Sequence, residues 1–116
     1  MEINSKLINK YSTTEKRIGT WINGKPLYRK VYSITNPSSS NTNYADLSSL
    51  NIDTVVHLYG YYKNSNGTFG IPFTDSEKNY SVMFVNNSNQ LRGRIVSNSS
   101  AVTDTKVILE YTKTTN

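Results

Sequence analysis

Few side chains in this sequence have the types that chemistry requires, and His57 is the first of them. It is the one histidine, and the chain has no cysteine. A lone imidazole lacks the second histidine of a metal site, and the lack of thiols removes disulfides, thiolate zinc sites and cysteine nucleophiles. Asp75 and Glu77 are acids spaced two apart. In a strand that spacing puts both carboxyls on one face, as a glycoside hydrolase pair needs. They stand beside Ser76 and Lys78 in a turn-like segment, however, which reads as a solvated loop. Asp46, Asp53 and Asp104 occur singly and read as turn or cap residues. The stretch Gly67-Thr68-Phe69-Gly70 leads into a strand and not a helix, so it lacks the geometry of a phosphate cradle. These residues point to a protein that is not an enzyme and uses no cofactor or metal.

The aromatic residues are a stronger signal: nine Tyr, three Phe and one Trp. Tyrosine joins a flat apolar face to a hydroxyl at low entropic cost, which suits interfaces. In residues 52–62, period-two alternation puts Val56, Leu58, Gly60 and Tyr62 on one face and Val55, His57, Tyr59 and Tyr61 on the other. Both faces are too apolar for one buried side and one wet side. Val56 and Leu58 are expected in the core. Val55, His57, Tyr59 and Tyr61 then form a second covered surface, a contact with a neighbouring copy or a platform for a sugar ring. On that reading His57 is an interface residue.

The elements that must position this surface are strands. Asn, Ser and Thr number 15, 15 and 13, a composition rich in turns and hydroxyl-bearing strand faces. Residues 17–22 alternate up to Asn23-Gly24, a strong hairpin signal, and residues 27–35 return as the paired strand with Pro26 at its start. Both turn residues are expected at positive φ. Residues 36–50 read as a long polar loop ending in a short helical turn, and residues 68–74, 80–85, 90–96 and 106–114 as further strands. About seven strands at short spacing predict an all-β antiparallel sandwich, jelly-roll-like, over residues 17–116, preceded by an N-terminal arm over residues 1–16. Leu, Ile, Val and Phe make up 27 of 116 residues, enough for a core but a thin one, so part of the burial is expected between subunits.

The net charge of +5 is confined to the front of the chain. Residues 1–30 hold seven Lys or Arg against Glu2 and Glu15, whereas residues 31–116 hold six of each sign. A nucleic-acid binder carries its charge as a stripe interleaved with stacking aromatics, so this layout argues against nucleic acid and for a basic arm that docks on an acidic partner. Lys6, Lys10, Tyr11, Lys16 and Arg17 are its candidate attachment residues. The start MEINSKLINKYS lacks the apolar stretch of a secretory signal, and no run of about 18 apolar residues supports a membrane partner.

Two separated stretches carry a family likeness. Tyr11-Ser12-Thr13, Glu15, Gly19-Thr20-Trp21 and Gly24-Lys25-Pro26-Leu27-Tyr28 stand near the start, and Glu110-Tyr111-Thr112-Lys113-Thr114-Thr115 near the end. Together they resemble a YST, GTWxxGKPLY and EYTKTT pattern of structural proteins of tailed bacteriophages. The resemblance covers about thirty residues and implies a virion surface module, a tail-fibre, head-fibre or capsid decoration domain. It further implies a homotrimer that contacts other virion proteins after assembly in the host bacterial cytoplasm; the alternative reading is a carbohydrate-recognition module for a host-surface glycan, free or at a fibre tip. Within the motif, Trp21 is a large anchor and Asn23, Gly24, Pro26 and Tyr28 are structural. The resemblance brings no catalytic motif. This chain departs from the pattern in having almost nothing before the motif, where the family carries longer fibre segments.

Overall fold

The computed structural model describes residues 10–76, 79–97 and 102–114. Lys6, Glu77, Thr115 and residues 98–101, the first part of a turn-rich loop expected over residues 98–104, lie outside the described residues. Nine strands follow in order: β1 (Lys16–Thr20), β2 (Pro26–Ser33), β3 (Thr42–Asp46), β4 (Ile52–Asn64), β5 (Gly67–Ile71), β6 (Phe73–Thr74), β7 (Tyr80–Val85), β8 (Gln90–Val96) and β9 (Thr105–Lys113). They form a five-stranded sheet in the order β1-β2-β9-β4-β5 and a four-stranded sheet in the order β3-β8-β7-β6, with antiparallel pairing throughout. This is the expected all-β sandwich. Strands β7 and β8 pair as a hairpin within the four-stranded sheet.

The strand count exceeds seven for two reasons. The segment read as one strand over residues 68–74 divides at Pro72, which lacks the N–H needed for a ladder. Its first half, β5, edges the five-stranded sheet, and its second half, β6, edges the other. The segment read as a loop contains β3, where a bulge between Asn43 and Ala45 breaks the period of two. Tyr44 and Ala45 are adjacent in sequence, yet both pack against the core. Behind β3, a 3-10 turn at Ser48–Leu50 helps to bury Leu47 and Leu50.

The core between the sheets contains Ile34, Leu47, Leu50, Tyr62, Ile71, Met83, Leu91, Ile95, Val107, Leu109 and Tyr111. Leu109, Val107 and Tyr111 are fully buried because β9 is central in its sheet, flanked by β2 and β4. Gly60 allows a close approach there, since a Cβ on it would lie 2.0 Å from the Lys106 carbonyl oxygen.

Register corrects one expectation on β4. Val55 lies opposite Tyr111 and His57 opposite Glu110, leaving Val56 in a bulge without a partner on β9. The bulge turns Val55 inward, where it packs against the core, and Leu58 follows it opposite Leu109. Val55 therefore does not belong to the outer face with His57, Tyr59 and Tyr61, and Val56 does not take the core place expected of it. A second correction concerns the first hairpin. Gly24 N–H donates to the Trp21 carbonyl and Trp21 N–H to the Lys25 carbonyl, and Gly24 alone of the two turn residues has positive φ, at 88°. The loop is three residues, Ile22-Asn23-Gly24, with the glycine forming a bulge, instead of a two-residue turn centred on Asn23-Gly24. Asn86 to Gln90 repeats the same bonding, with Asn89 at φ 57°.

Candidate functional site

The outer face of the five-stranded sheet is built by three strands in register. Arg29, Glu110 and His57 form one row across β2, β9 and β4; Val31, Ile108 and Tyr59 form the next; Lys106 and Tyr61 continue it. Glu110 is the centre of the first row and is 8% exposed. Its Oε2 accepts from Arg29 Nε at 2.9 Å and from the Tyr59 hydroxyl at 2.7 Å, and Arg29 Nη2 lies 2.8 Å away. His57 Nδ1 stands 3.9 Å from Oε1, and its ring leans on Tyr59 at 4.2 Å between centroids. Burial and the hydrogen bond to Glu110 push the Tyr59 phenol well above its ordinary range. Burial works to lower the Arg29 pKa, but the hydrogen bond and charge of Glu110 outweigh it and hold the guanidinium above its usual value. A carboxylate paired and bonded in this way is a fixed anchor, neutralised by its partners.

Tyr11 closes this row from above. Its ring lies 4.0 Å from the Arg29 guanidinium carbon, within cation–π range. Behind Tyr11 the chain runs beside β2, where Val31 N–H donates to the Ser12 carbonyl at 2.8 Å. Glu15 then reaches the inner face: it accepts from the Tyr111 hydroxyl and pairs with Lys113 Nζ at 2.8 Å. Tyr111 is fully buried and stacks on Tyr28 with centroids 6.0 Å apart, and Lys113 sits 4.9 Å above the Tyr28 ring. Burial, reinforced by Glu15, pushes the Tyr111 phenol far up and the Tyr32 phenol up to about 12. At the hairpin end, Lys25 Nζ pairs with Asp53 at 3.0 Å and donates to the Lys113 carbonyl at 3.4 Å. The hydrogen bond from Lys25 keeps the Asp53 carboxyl below its normal range.

Segments from the two ends of the chain, residues 11–29 and 110–113, are thus one structural unit. Tyr11, Glu15, Lys25, Tyr28 and Arg29 from the front meet Glu110, Tyr111 and Lys113 from the end. We call this unit the clasp. Its cross-chain bonds join residues 81 and 96 positions apart.

Of the candidate attachment residues, Tyr11 is engaged in the clasp, Lys16 lies in β1 opposite Arg29, and Arg17 bonds to the Gly19 carbonyl and the Thr20 hydroxyl. Lys10 is exposed. Within the segment read as an arm, Tyr11, Ser12 and Glu15 thus contact the five-stranded sheet. Trp21 is half-buried at the hairpin base, and Ile22 at its tip is 89% exposed. Asp75 does not present a free carboxylate, because its two oxygens accept from the backbone and side-chain nitrogens of Asn79, both at 2.9 Å. Asp46 accepts from Ser48 N–H as a turn residue. Among the described residues no group of three or more His, Asp or Glu could hold a metal ion, and no helix is long and apolar enough to cross a membrane.

Residues 31 and 108 add a feature that period-two reading alone did not single out. Between the segment Tyr11-Ser12-Thr13 and the pair Tyr61–Lys106 runs a groove of about 270 Å³ floored by Val31 and Ile108. Tyr61 donates to Asp104 at 3.0 Å and Lys106 pairs with the same carboxylate at 2.5 Å. These bonds raise the Tyr61 and Lys106 pKa values and lower that of Asp104. No family model, no curated protein and no solved structure matches this chain.

Proposed function

We propose that the chain is a non-enzymatic structural module of a tailed-bacteriophage virion, a fibre or capsid decoration domain assembled in the host bacterial cytoplasm. The observation that supports this reading is the clasp. The two stretches resembling phage structural proteins are stitched to each other by Arg29–Glu110, Glu15–Tyr111, Glu15–Lys113 and the Tyr28–Tyr111 stack. A motif split across a sequence but joined in space behaves as one folding device, and such a device suits a small domain that must persist on a particle surface. Attachment runs through the basic start of the chain, where the net charge of residues 1–30 lies.

A homotrimer is part of this proposal. Val82 and Phe84 are 38% and 39% exposed on the outer face of the four-stranded sheet. They stand opposite Arg94 and Arg92, and a neighbouring copy would cover this apolar pair. The test is reconstitution. Purified protein is added to particles made without it, and co-sedimentation is followed as salt rises. Binding that saturates and weakens with salt supports the reading, because exposed charge contacts are screened. No co-sedimentation at low salt overturns it.

A further inference from the structure

The groove over Val31 and Ile108 has a composition unlike an ordinary strand surface, and the geometry points to it as a binding site for one neutral pyranose ring. This inference does not depend on the virion reading. Four observations carry it. The floor is aliphatic, supplied by Val31 and Ile108. The walls are aromatic on both sides, Tyr11 on the segment alongside β2 and Tyr61 on β4. The rim carries the hydroxyls of Ser12 and Thr13, which donate and accept with freely rotating protons. The volume of about 270 Å³ falls just under the range of about 300 Å³ and above typical of drug-sized ligands, and suits a single ring.

Charge decides the class of occupant. Lys106 is neutralised by Asp104 at 2.5 Å, and Arg29 beside the groove is neutralised by Glu110. An acidic ligand would have to displace one of these pairs. A purely apolar ligand would displace water from the Thr13 hydroxyl and offer nothing in its place, and it would leave the Ser12 hydroxyl with the Thr14 N–H alone, at 3.0 Å. A neutral sugar satisfies both demands: its axial C–H face lies on tyrosine and aliphatic carbon while its hydroxyls meet Ser12, Thr13 and the outer edge of the Asp104–Lys106 pair. The sequence left the His57, Tyr59 and Tyr61 face open between a subunit contact and a ligand face, and the groove favours the ligand. The Arg29 guanidinium carbon lies 4.0 Å from the Tyr11 ring centroid, so the clasp also holds the wall against which the ring would pack.

The experiment is a two-dimensional ¹⁵N–¹H titration of the full chain with the methyl glycosides of glucose, galactose, mannose and N-acetylglucosamine. Concentrations extend to the order of 50 mM, because a ligand of this size in a shallow site binds at about millimolar strength. The expected result is saturable shifts for at least one glycoside, centred on the amides of Ser12, Thr13, Val31, Tyr61 and Ile108. Tyr61→Ala should weaken that binding at least tenfold, and so should Ile108→Arg, which fills the floor. Ile22→Ser at the exposed hairpin tip should leave it unchanged. Retained chemical-shift dispersion in each variant separates lost binding from lost fold. Four outcomes overturn the inference: no shift with any glycoside, shifts centred elsewhere, undiminished binding in Tyr61→Ala, or groove shifts that track protein concentration alone and so mark a contact between copies.

Discussion

Replacing Glu15 by Ala removes the residue that ties the N-terminal segment to the inner face, and the structure sets how much that should cost. Tyr111 is fully buried, so its hydroxyl loses the Glu15 acceptor without exposure to bulk water. An unsatisfied buried donor costs about 1–3 kcal/mol. The Glu15–Lys113 pair, with side chains 25% and 20% exposed, is better sheltered than a surface pair but not dry, and adds about 0.5–1 kcal/mol. The sum is about 1.5–4 kcal/mol, which for a chain of this length is a fall in melting temperature of roughly 5–20 °C. Urea unfolding followed by circular dichroism measures it directly. A second variant isolates the mechanism. Adding Tyr111→Phe to Glu15→Ala removes the stranded hydroxyl and should restore about 1 kcal/mol or more, a coupling that two independent sites would not show. A loss below about 0.5 kcal/mol in Glu15→Ala, or a double variant no more stable than the single one, would refute the clasp as a stabilising unit.

Three further predictions follow from the same structure. Gly60→Ala forces a Cβ to within 2.0 Å of the Lys106 carbonyl and should destabilise by about 3 kcal/mol or more, read as a large drop in the urea midpoint or loss of soluble protein. The Tyr32 phenol is held up to about 12 by burial and Glu15, against about 10 when unfolded, so its contribution is complete below pH 10 and is lost as pH climbs from 10 through 12. Tyr59 and Tyr111 are shifted the same way, so urea midpoints at pH 8 to 12 should fall above pH 10, and less steeply in Tyr32→Phe. If the trimer forms through the four-stranded sheet, Val82→Ser with Phe84→Ser should reduce the light-scattering mass from three times 13.1 kDa to one, while Tyr61→Ala should leave it at three.

The sequence carried the sandwich because its strands keep clean alternation where they matter most. Leu91 and Ile95 on β8, and Val107, Leu109 and Tyr111 on β9, are all buried at the expected period. Reading failed wherever a bulge inserted a residue. One bulge concealed β3 by placing Tyr44 and Ala45 together against the core, and another moved Val55 from the outer face to the inner one. The first hairpin was visible at Gly24, but a three-residue loop and a two-residue loop share the same Asn-Gly signal, and only hydrogen bonding separates them. The clasp was half legible. Its residues stood in the two stretches singled out near the start and the end of the sequence, yet nothing local to Glu15 reveals that its partner is Tyr111, because long-range pairing depends on the order of strands in the sheet. The groove was less legible still, since Val31 and Ile108 look like any outward aliphatic pair until the segment Tyr11-Ser12-Thr13 is laid beside them.

The most direct measurement of the virion proposal is quantitative peptide mass spectrometry on density-purified particles from a culture that makes this protein. Peptides from the front and end of the clasp, residues 11–32 and 106–114, should be present at a constant ratio to the major capsid protein across the particle peak and survive repeated banding. If they remain in the soluble fraction and are missing from banded particles, the protein is not a virion component, and the clasp is a device of the fold alone.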